Sequence, residues 1–444
     1  MLRDGFGNGR ISRRTLAKAA AGAAAIGVAS PAFARRAGAQ ETTLTVWDSW
    51  TRDVDSALIE QLNQEFMEAN PGVTIERVVK GFDDLKATAK LAMSSDDGPD
   101  LVQINQGLSD MGAMAKAGIL TSLDDYAEQY GWKDKLSAGM IARHSFAEDG
   151  TVFGEGVFYG MPLTAEFIGV YYNKQKFADA GIEIPQTFAD LEAALQTLQA
   201  AGEAPIVFGN LEAWPAIHTY GEIQGLYVDT AYLDDFIFGR NDVSFETPEN
   251  IQAAAKLQEW VAAGYFTPDF SGIGYDDSWA QFKSGTGALM ITGSWISGEL
   301  ATSEDPAFGF FLFPAEEAGD VKPVVAGTSM AYAIRQGSPN ADLAASYIDF
   351  LVSDRAAEGF SEVGIVPIGV DPEKVTEDTL YADVVAAWTQ INTTDAAGHY
   401  LDWATPTFYD TITAGLTELL ANAVTPEEFA AKLQADYGAF IAGS

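Results

Sequence analysis

Residues 160–173 have the sequence GMPLTAEFIGVYYN. A Gly-Met-Pro turn leads into an aromatic and β-branched segment, a composition that favours a buried strand. One carboxylate, Glu166, interrupts the apolar run, and a buried charge is costly unless it is paired or reaches water. Two interpretations stay open from these residues alone. Either Glu166 is a salt-bridged residue at a strand end, or the chain crosses here between two lobes and Glu166 faces the cleft between them.

The residues before this stretch predict the start of a parallel sheet. Apolar residues with strand and helix periodicity alternate from residue 43 onward, and short turns separate them. The predicted elements are a strand at 43–47, a helix at 53–69, a strand at 73–79, a helix at 84–93 and a strand at 100–104. This βαβαβ order is typical of a parallel sheet with right-handed crossovers, so we expect an α/β fold.

A second α/β series follows residue 173. Strands are predicted at 204–208, 287–292, 308–314 and 330–334, and residues 363–367 are expected to be extended. Helices are predicted at 188–201, 247–264, 280–284 and 340–352, with a final helix opened by the capping box Thr425-Pro426-Glu427-Glu428. Because no low-complexity linker separates the two series, we expect two lobes joined by several rigid crossings rather than tethered domains.

The amino terminus has the features of an export signal. Residues 12–18 contain a twin-arginine pattern, an Ala- and Gly-rich run follows, and small-x-small sites end at Ala34 and Ala39. Residues 1–40 are therefore predicted to be a Tat-type signal peptide cut after Ala39, with Ala34 as the other candidate site. Since the sequence has no Cys and no later run of 18 apolar residues, we expect a soluble periplasmic or extracytoplasmic protein without a lipid anchor.

The net charge argues against polyanionic partners. The 444 residues carry a formal charge of −37, and without residues 1–40 the chain has 19 basic and 62 acidic residues, a charge of −43. Such a charge repels nucleic acid and anionic membranes, and it makes a strongly anionic ligand less favourable. We expect no nucleic-acid partner.

The sequence lacks the common motifs of metal binding and catalysis. Its three His residues are far apart and it has no Cys, so neither a zinc site nor another cofactor is expected. It also has no phosphate-binding loop, nucleophile elbow or EF-hand calcium loop. Four acidic pairs are interpreted as mostly solvated caps and turns: Asp83-Asp84, Asp96-Asp97, Asp234-Asp235 and Asp276-Asp277.

Aromatic and polar residues at predicted strand ends suggest a ligand site. In parallel sheets ligands bind at the carboxyl ends of strands, here residues 49–52 and 105–107. Five Trp residues lie at strand ends or in loops, where their flat faces suit the apolar face of a sugar ring: Trp50, Trp214, Trp279, Trp295 and Trp403. Glu166, Asn105, Gln106 and Asn210 are candidate partners for the sugar hydroxyls.

An ordered set of short segments resembles the extracellular solute-binding proteins of bacterial ABC importers, in the sugar-binding group that includes maltose-binding protein. The segments are Leu44-Thr45-Val46-Trp47, residues 66–73 (FMEANPGV), Pro99-Asp100-Leu101-Val102, Gly160-Met161-Pro162, Tyr171-Tyr172-Asn173-Lys174, residues 282–295 (FKSGTGALMITGSW), residues 325–329 and residues 363–367. Together they span nearly all of residues 41–444. The resemblance implies a periplasmic-binding-protein-like fold: two α/β lobes, three crossovers and a ligand cleft between the lobes.

The resemblance also implies roles for individual residues. Glu166 takes the position of a hinge-proximal sugar-binding Glu, Trp295 that of a stacking Trp, and Tyr409 lies near a C-terminal stacking aromatic. Polar contacts are implied for Thr51, Arg52, Asn105, Gln106 and Thr328. Thr51 replaces an acidic ligand of maltose-binding protein, and Ile104 replaces a Trp. We therefore do not expect maltose itself as the ligand, but we still expect a carbohydrate.

We therefore predict a monomeric, non-catalytic protein that binds a sugar or oligosaccharide and delivers it to an ABC permease. The predicted lobes are residues 41–164 with 329–366, and residues 165–328 with 367–444. Two alternatives stay open: a binder of another polyol-like solute such as a glycerol phosphodiester, and a secreted glycoside hydrolase. The hydrolase would need a second carboxylate opposite Glu166, for which Glu212 and Asp277 are candidates.

Overall fold

A mixed sheet and an antiparallel sheet, both flanked by helices, form the framework of the protein. The computed structural model describes residues 41–303 and 305–443, so the predicted signal peptide, residues 1–40, lies outside the described residues. The strands are β1 (Thr42–Asp48), β2 (Val73–Val79), β3 (Leu101–Ile104), β4 (Ser145–Phe146), β5 (Val157–Phe158), β6 (Ala165–Asn173), β7 (Leu289–Gly293), β8 (Phe308–Phe311), β9 (Ala326–Thr328) and β10 (Ala331–Ile334).

Helices surround both sheets. They are α1 (Asp53–Ala69), α2 (Phe82–Met93), α3 (Ala113–Lys116), α4 (Asp124–Tyr130), α5 (Ala138–Arg143), α6 (Lys174–Ala180), α7 (Phe188–Ala200), α8 (Pro215–Gln224), α9 (Thr230–Ile237), α10 (Pro248–Ala263), α11 (Tyr275–Lys283), α12 (Ser297–Ala301), α13 (Ala341–Leu351), α14 (Asp354–Glu362), α15 (Leu380–Thr393), α16 (Phe408–Leu420) and α17 (Pro426–Gly443). Short 3₁₀ and π turns lie between them, among them Leu401–Trp403. No helix in the described ranges is both long and apolar enough to cross a bilayer.

The first sheet has the strand order β10-β3-β1-β2. Strand β1 is parallel to β2 and to β3, and β10 is antiparallel to β3. Helix α1 buries Leu58, Ile59, Leu62 and Phe66, the four residues that its apolar periodicity places on one face. The predicted βαβαβ start and its parallel sheet are thus confirmed.

The second sheet is built around β6. Strands β7 and β8 flank it, and β9 pairs with its first three residues; all three are antiparallel to β6. Apart from Glu166, which is partly exposed, every residue of β6 is buried. Tyr171 and Tyr172, which the period of a strand directs to opposite faces, are both buried in cores.

Three chain segments cross side by side between the two sheets. Met161, just before β6, forms a bridge with Tyr332 of the first sheet, whereas residues 168–172 of β6 pair with β7 in the second. Strand β9 runs antiparallel to the start of β6, and Thr164 forms a bridge with Pro367. The expected two-lobed α/β fold with three crossovers is confirmed, and residues 160–173 contain the first crossing.

Some predicted elements were wrong. Residues 204–208 do not form a strand, because Pro205 has no N–H and only Ile206 makes ladder bridges, one to Phe266 and one to Leu289. The helix predicted at 280–284 begins earlier, at Tyr275. Asp276 and Asp277 lie in its first turn, where acidic side chains are favourable, and not in a preceding loop. Helices α8 and α9 were not predicted.

A buried ion pair ties helix α8 to the segment that enters β9. The Nζ of Lys322 lies 2.6 Å from Oε2 of Glu222, and both side chains are almost fully buried. The other carboxylate oxygen of Glu222 accepts a hydrogen bond of 2.8 Å from the Val325 N–H. Each charge is therefore compensated inside the core, which is the condition for a tolerable buried pair.

Candidate functional site

A cavity of about 430 Å³ lies where the two sheets and the crossing segments meet. Its walls come from the loops after β1, β2 and β3, from the start of β6, and from residues near the starts of α8 and α11. The rest of the lining comes from Trp295 after β7, from residues 328–330 of the second crossing, and from Tyr400, Asp402, Trp403 and Tyr409. The cavity thus occupies the carboxyl edge of the parallel strands, where ligands bind in open α/β sheets.

The loop after β1 places Arg52 in the cavity wall. Its Nη2 lies 2.9 Å from Oδ2 of Asp55 at the start of α1. The Val54 N–H, in the same first turn, donates a 2.9 Å hydrogen bond to Glu299 of α12. The first turn of α1 is therefore held by an acidic side chain from the segment that follows β7, and Arg52 has a partner inside the protein.

Glu166 faces the cavity from the start of β6. It is opposite Gly327 of β9 and forms no ion pair with another described residue. Burial raises the pKa of Glu166 to about 7, although the nearby Arg52 guanidinium opposes the shift, and the negative charge of Asp55 adds to it. Near neutral pH this carboxyl can therefore donate or accept a hydrogen bond.

Seven aromatic rings form a continuous surface in the cavity, which we call the aromatic wall: Phe82, Trp214, His218, Tyr275, Trp295, Tyr400 and Trp403. The Trp214 and Tyr275 ring centroids are 4.5 Å apart, and the Trp295 Nε1–H donates to the Tyr275 hydroxyl at 2.6 Å. Burial lowers the pKa of His218 to about 3, so this ring is neutral at physiological pH. The wall offers apolar faces with polar edges, as a sugar ring requires.

Two glycines allow Trp403 to reach the wall. Gly107 has a φ of +87°, and a Cβ there would lie 2.6 Å from Cα of Trp403. A Cβ on Gly327 would lie 2.8 Å from Cη2 of the same ring. Both positions require glycine for close approach, and Gly107 also requires it for its backbone conformation.

The cavity lining also includes the buried carboxyl of Asp402. Burial raises the pKa of Asp402 to about 6, with Lys86 and Asn105 opposing the shift. The Nζ of Lys86 lies 2.5 Å from Asp110 and 3.9 Å from the centre of the Tyr409 ring. Lys86 thus fixes Tyr409 through a cation–π contact while its charge is shared with Asp110.

The structure brings eleven of the thirteen predicted site residues into the lining of one cavity: Trp50, Thr51, Arg52, Asn105, Gln106, Glu166, Trp214, Trp295, Thr328, Trp403 and Tyr409. The other two lie outside it. The Asn210 Oδ1 accepts a 2.9 Å hydrogen bond from the Ala216 N–H and so caps α8. Trp279 lies on α11, one turn beyond the lining residue Tyr275, and its Nε1–H donates to Asp276 at 2.9 Å.

Sequence reasoning missed an acidic part of the lining. Asp83, Asp84 and Asp276 line the cavity, although their pairs were interpreted as solvated caps; they do lie in first turns of helices, and those turns open onto the cleft. The signal was available, because residues 80–84 follow the carboxyl end of β2 just as residues 49–52 follow β1. Tyr275, Tyr400 and Asp402 had no comparable sequence signal.

No group of three or more His, Asp or Glu side chains in the described residues is arranged to hold a metal ion. The groups that the cavity presents to a ligand are aromatic faces, amides and carboxylates.

Fold and cleft together define the class of two-lobed solute receptors. The chain belongs to the family of bacterial extracellular solute-binding proteins, whose sequence profile matches residues 48–358. Among curated relatives, the multiple sugar-binding protein of Streptococcus mutans is 23% identical over 324 residues, which cover 71% of this chain and 72% of the relative.

Solved structures share the fold. A chitin oligosaccharide binding protein superposes with a TM-score of 0.77 at 24% identity, over 91% of this chain and all of the other. The Thermus thermophilus maltotriose binding protein, bound with maltotriose, superposes with a TM-score of 0.69 at 17% identity, over 90% of this chain and all of the other.

Proposed function

We propose that this protein captures an extracellular sugar or oligosaccharide in the cleft and delivers it to the permease of an ABC importer. The observation that carries the proposal is the aromatic wall, which combines stacking faces with the polar groups of Glu166, Gln106 and Asn105 in one cavity. Relatives named for binding several sugars, chitin oligosaccharides and maltotriose support the same ligand class.

Binding would proceed by hinge closure of two lobes. We assign residues 41–164 with 329–366 to one lobe and residues 165–328 with 367–444 to the other. The boundaries at 164/165, 328/329 and 366/367 fall in the three crossing segments, which supports the assignment. A ligand that contacts both lobes would stabilise the closed state by its extra affinity for that state.

The protein would be exported by the twin-arginine route through residues 1–40 and would act as a soluble monomer without cofactor or catalytic activity. A phosphodiester ligand is disfavoured, because Arg52 is the one Arg or Lys among the described lining residues and is already paired with Asp55. Glycoside hydrolysis is the second candidate, since Glu166 has a raised pKa and Glu212 lines the same cavity. One oxygen of Glu212, however, caps α11 through the Tyr275 N–H at 2.9 Å.

A thermal-shift screen with mono- and oligosaccharides tests the proposal. A sugar present at 100 times its dissociation constant should stabilise the protein by about 2.7 kcal/mol. No shift with any carbohydrate would contradict sugar binding. Continuous release of reducing ends from a bound oligosaccharide would instead establish the hydrolase.

A further inference from the structure

The cavity lining contains six carboxylates: Asp83, Asp84, Glu166, Glu212, Asp276 and Asp402. None of them forms an ion pair within the part of the chain that the structure describes. The lining cation Arg52 is paired with Asp55, which lies outside the lining. The cleft therefore has an excess of carboxylates over basic groups, although Arg52 lies near Glu166 and Lys86 lies near Asp83 and Asp402.

Some of these carboxylates meet like charges across the cleft. Asp83 starts α2 after the first sheet, whereas Glu212 and Asp276 belong to segments on the side of the second sheet. Partial burial, together with the negative charges of Glu212 and Asp276, raises the pKa of Asp83. Nearby, the centroids of the Phe82 and Trp214 rings are 6.0 Å apart, so the two sides of the cleft are close at this point. These like charges oppose one another, and the Lys86 ammonium, one turn along α2, acts against the rise in the Asp83 pKa.

Buried polar atoms in the same lining also lack partners. The Gln106 side chain is 1% exposed, and its Oε1 accepts no hydrogen bond, while its Nε2 donates to Thr328 O at 2.8 Å. The Tyr400 hydroxyl has no partner either, and Tyr400 is 8% exposed. Buried acceptors of this kind are costly unless a ligand donor satisfies them.

We propose that the ligand is a cationic sugar: a mono- or oligosaccharide that carries a protonated amine. Hydroxyls of a neutral sugar donate hydrogen bonds to carboxylates but neutralise none of their charge, whereas an ammonium does both. The rings of the aromatic wall add a favourable face for the same cation. This inference rests on the proposed sugar-binding function and narrows its substrate class.

Matched sugars test the charge directly. Oligomers of glucosamine, N-acetylglucosamine and glucose with equal length and the same β-1,4 linkage differ at C2, which carries an amine, an acetamide or a hydroxyl. The corresponding monosaccharides and an α-linked pair of amino and neutral disaccharides extend the set. Calorimetry at pH 7.0 should give the amino sugar at least about tenfold higher affinity than its neutral counterpart, and this advantage should shrink several-fold between low and high salt.

Two variants test whether the carboxylates of the cavity lining recognise the amine of the sugar. Asp276→Asn should weaken amino-sugar binding about fivefold more than it weakens binding of the matched neutral sugar. Asp277→Asn is the matched control, since it is the next residue of the same helical turn, is exposed and lies outside the lining. Equal or tighter binding of neutral sugars would overturn the cationic ligand while leaving sugar binding intact. Absence of binding by every sugar would overturn both.

Discussion

Replacing Glu166 by Gln should change how the stability of the protein depends on pH. The folded-state pKa of about 7 lies above the ordinary Glu value of 4.5, so folding disfavours the charged form. Below pH 4.5 the carboxyl is protonated in both states and has no effect. Above pH 7 it is ionised in both, and the folded state bears the full cost. The wild-type free energy of unfolding should therefore fall as pH rises from 4.5 to 7.

The pKa shift sets an upper limit of about 3 kcal/mol for this loss. Because the Glu166 side chain is partly exposed in the cleft, screening should reduce the effect to about 1–2 kcal/mol. Glu166→Gln keeps the shape and a hydrogen-bonding amide but carries no charge, so the variant should lose this part of the pH dependence and be more stable than wild type at pH 8.

Urea unfolding at several pH values between 4.5 and 8 measures the effect. Other carboxyls in the protein also titrate in this range, so the informative quantity is the difference between the variant and the wild type. Glu183→Gln, an exposed change in the loop between α6 and α7, should leave the curve unchanged. If Glu166→Gln and wild type followed the same pH profile, the argument that burial raises the Glu166 pKa would be wrong.

Three further predictions concern other parts of the molecule. Trp295→Ala should weaken sugar binding by about tenfold to a hundredfold in calorimetry, because it removes a stacking face, whereas Trp279→Ala, outside the lining, should change it by less than about twofold. Lys322→Ala should lower the free energy of urea unfolding by about 3–5 kcal/mol, since it strands a buried carboxylate, while Arg355→Ala, which breaks a surface pair, should cost about 1 kcal/mol or less. Gly107→Ala should lower both melting temperature and affinity, because its Cβ would collide with the chain that carries a wall Trp; unchanged affinity would refute that coupling.

The fold was largely predictable because its signals are local. The bounds of α1 and β2 follow from periodicity and from the breaking residues Asn70-Pro71-Gly72, and the structure has the same bounds. The strand predicted at residues 204–208 does not form, because Pro205 has no N–H to donate and only Ile206 finds bridge partners, which lie more than 50 residues away in the chain. The same limit applies to the site: Trp50 and Arg52 follow a strand directly, whereas Tyr400 and Asp402 reach the cavity from a loop near the C-terminus.

The apolar stretch that contains Glu166 illustrates how far sequence reasoning extends. From the sequence, either a salt bridge or a cleft position could explain a carboxylate in a buried strand. The structure places Glu166 in the cavity without an ion pair, at the point where β6 leaves the crossing and enters the second sheet. An unpaired carboxyl at this position lowers the stability of the folded state, and an apolar residue of similar size would be more stable there. Its presence is therefore explained if it forms a hydrogen bond with the ligand. The unpaired Glu166 carboxyl in the cavity wall is thus a reason to look for a hydrogen-bonding group on the ligand, and the other carboxylates of the lining favour a ligand group that is also positively charged.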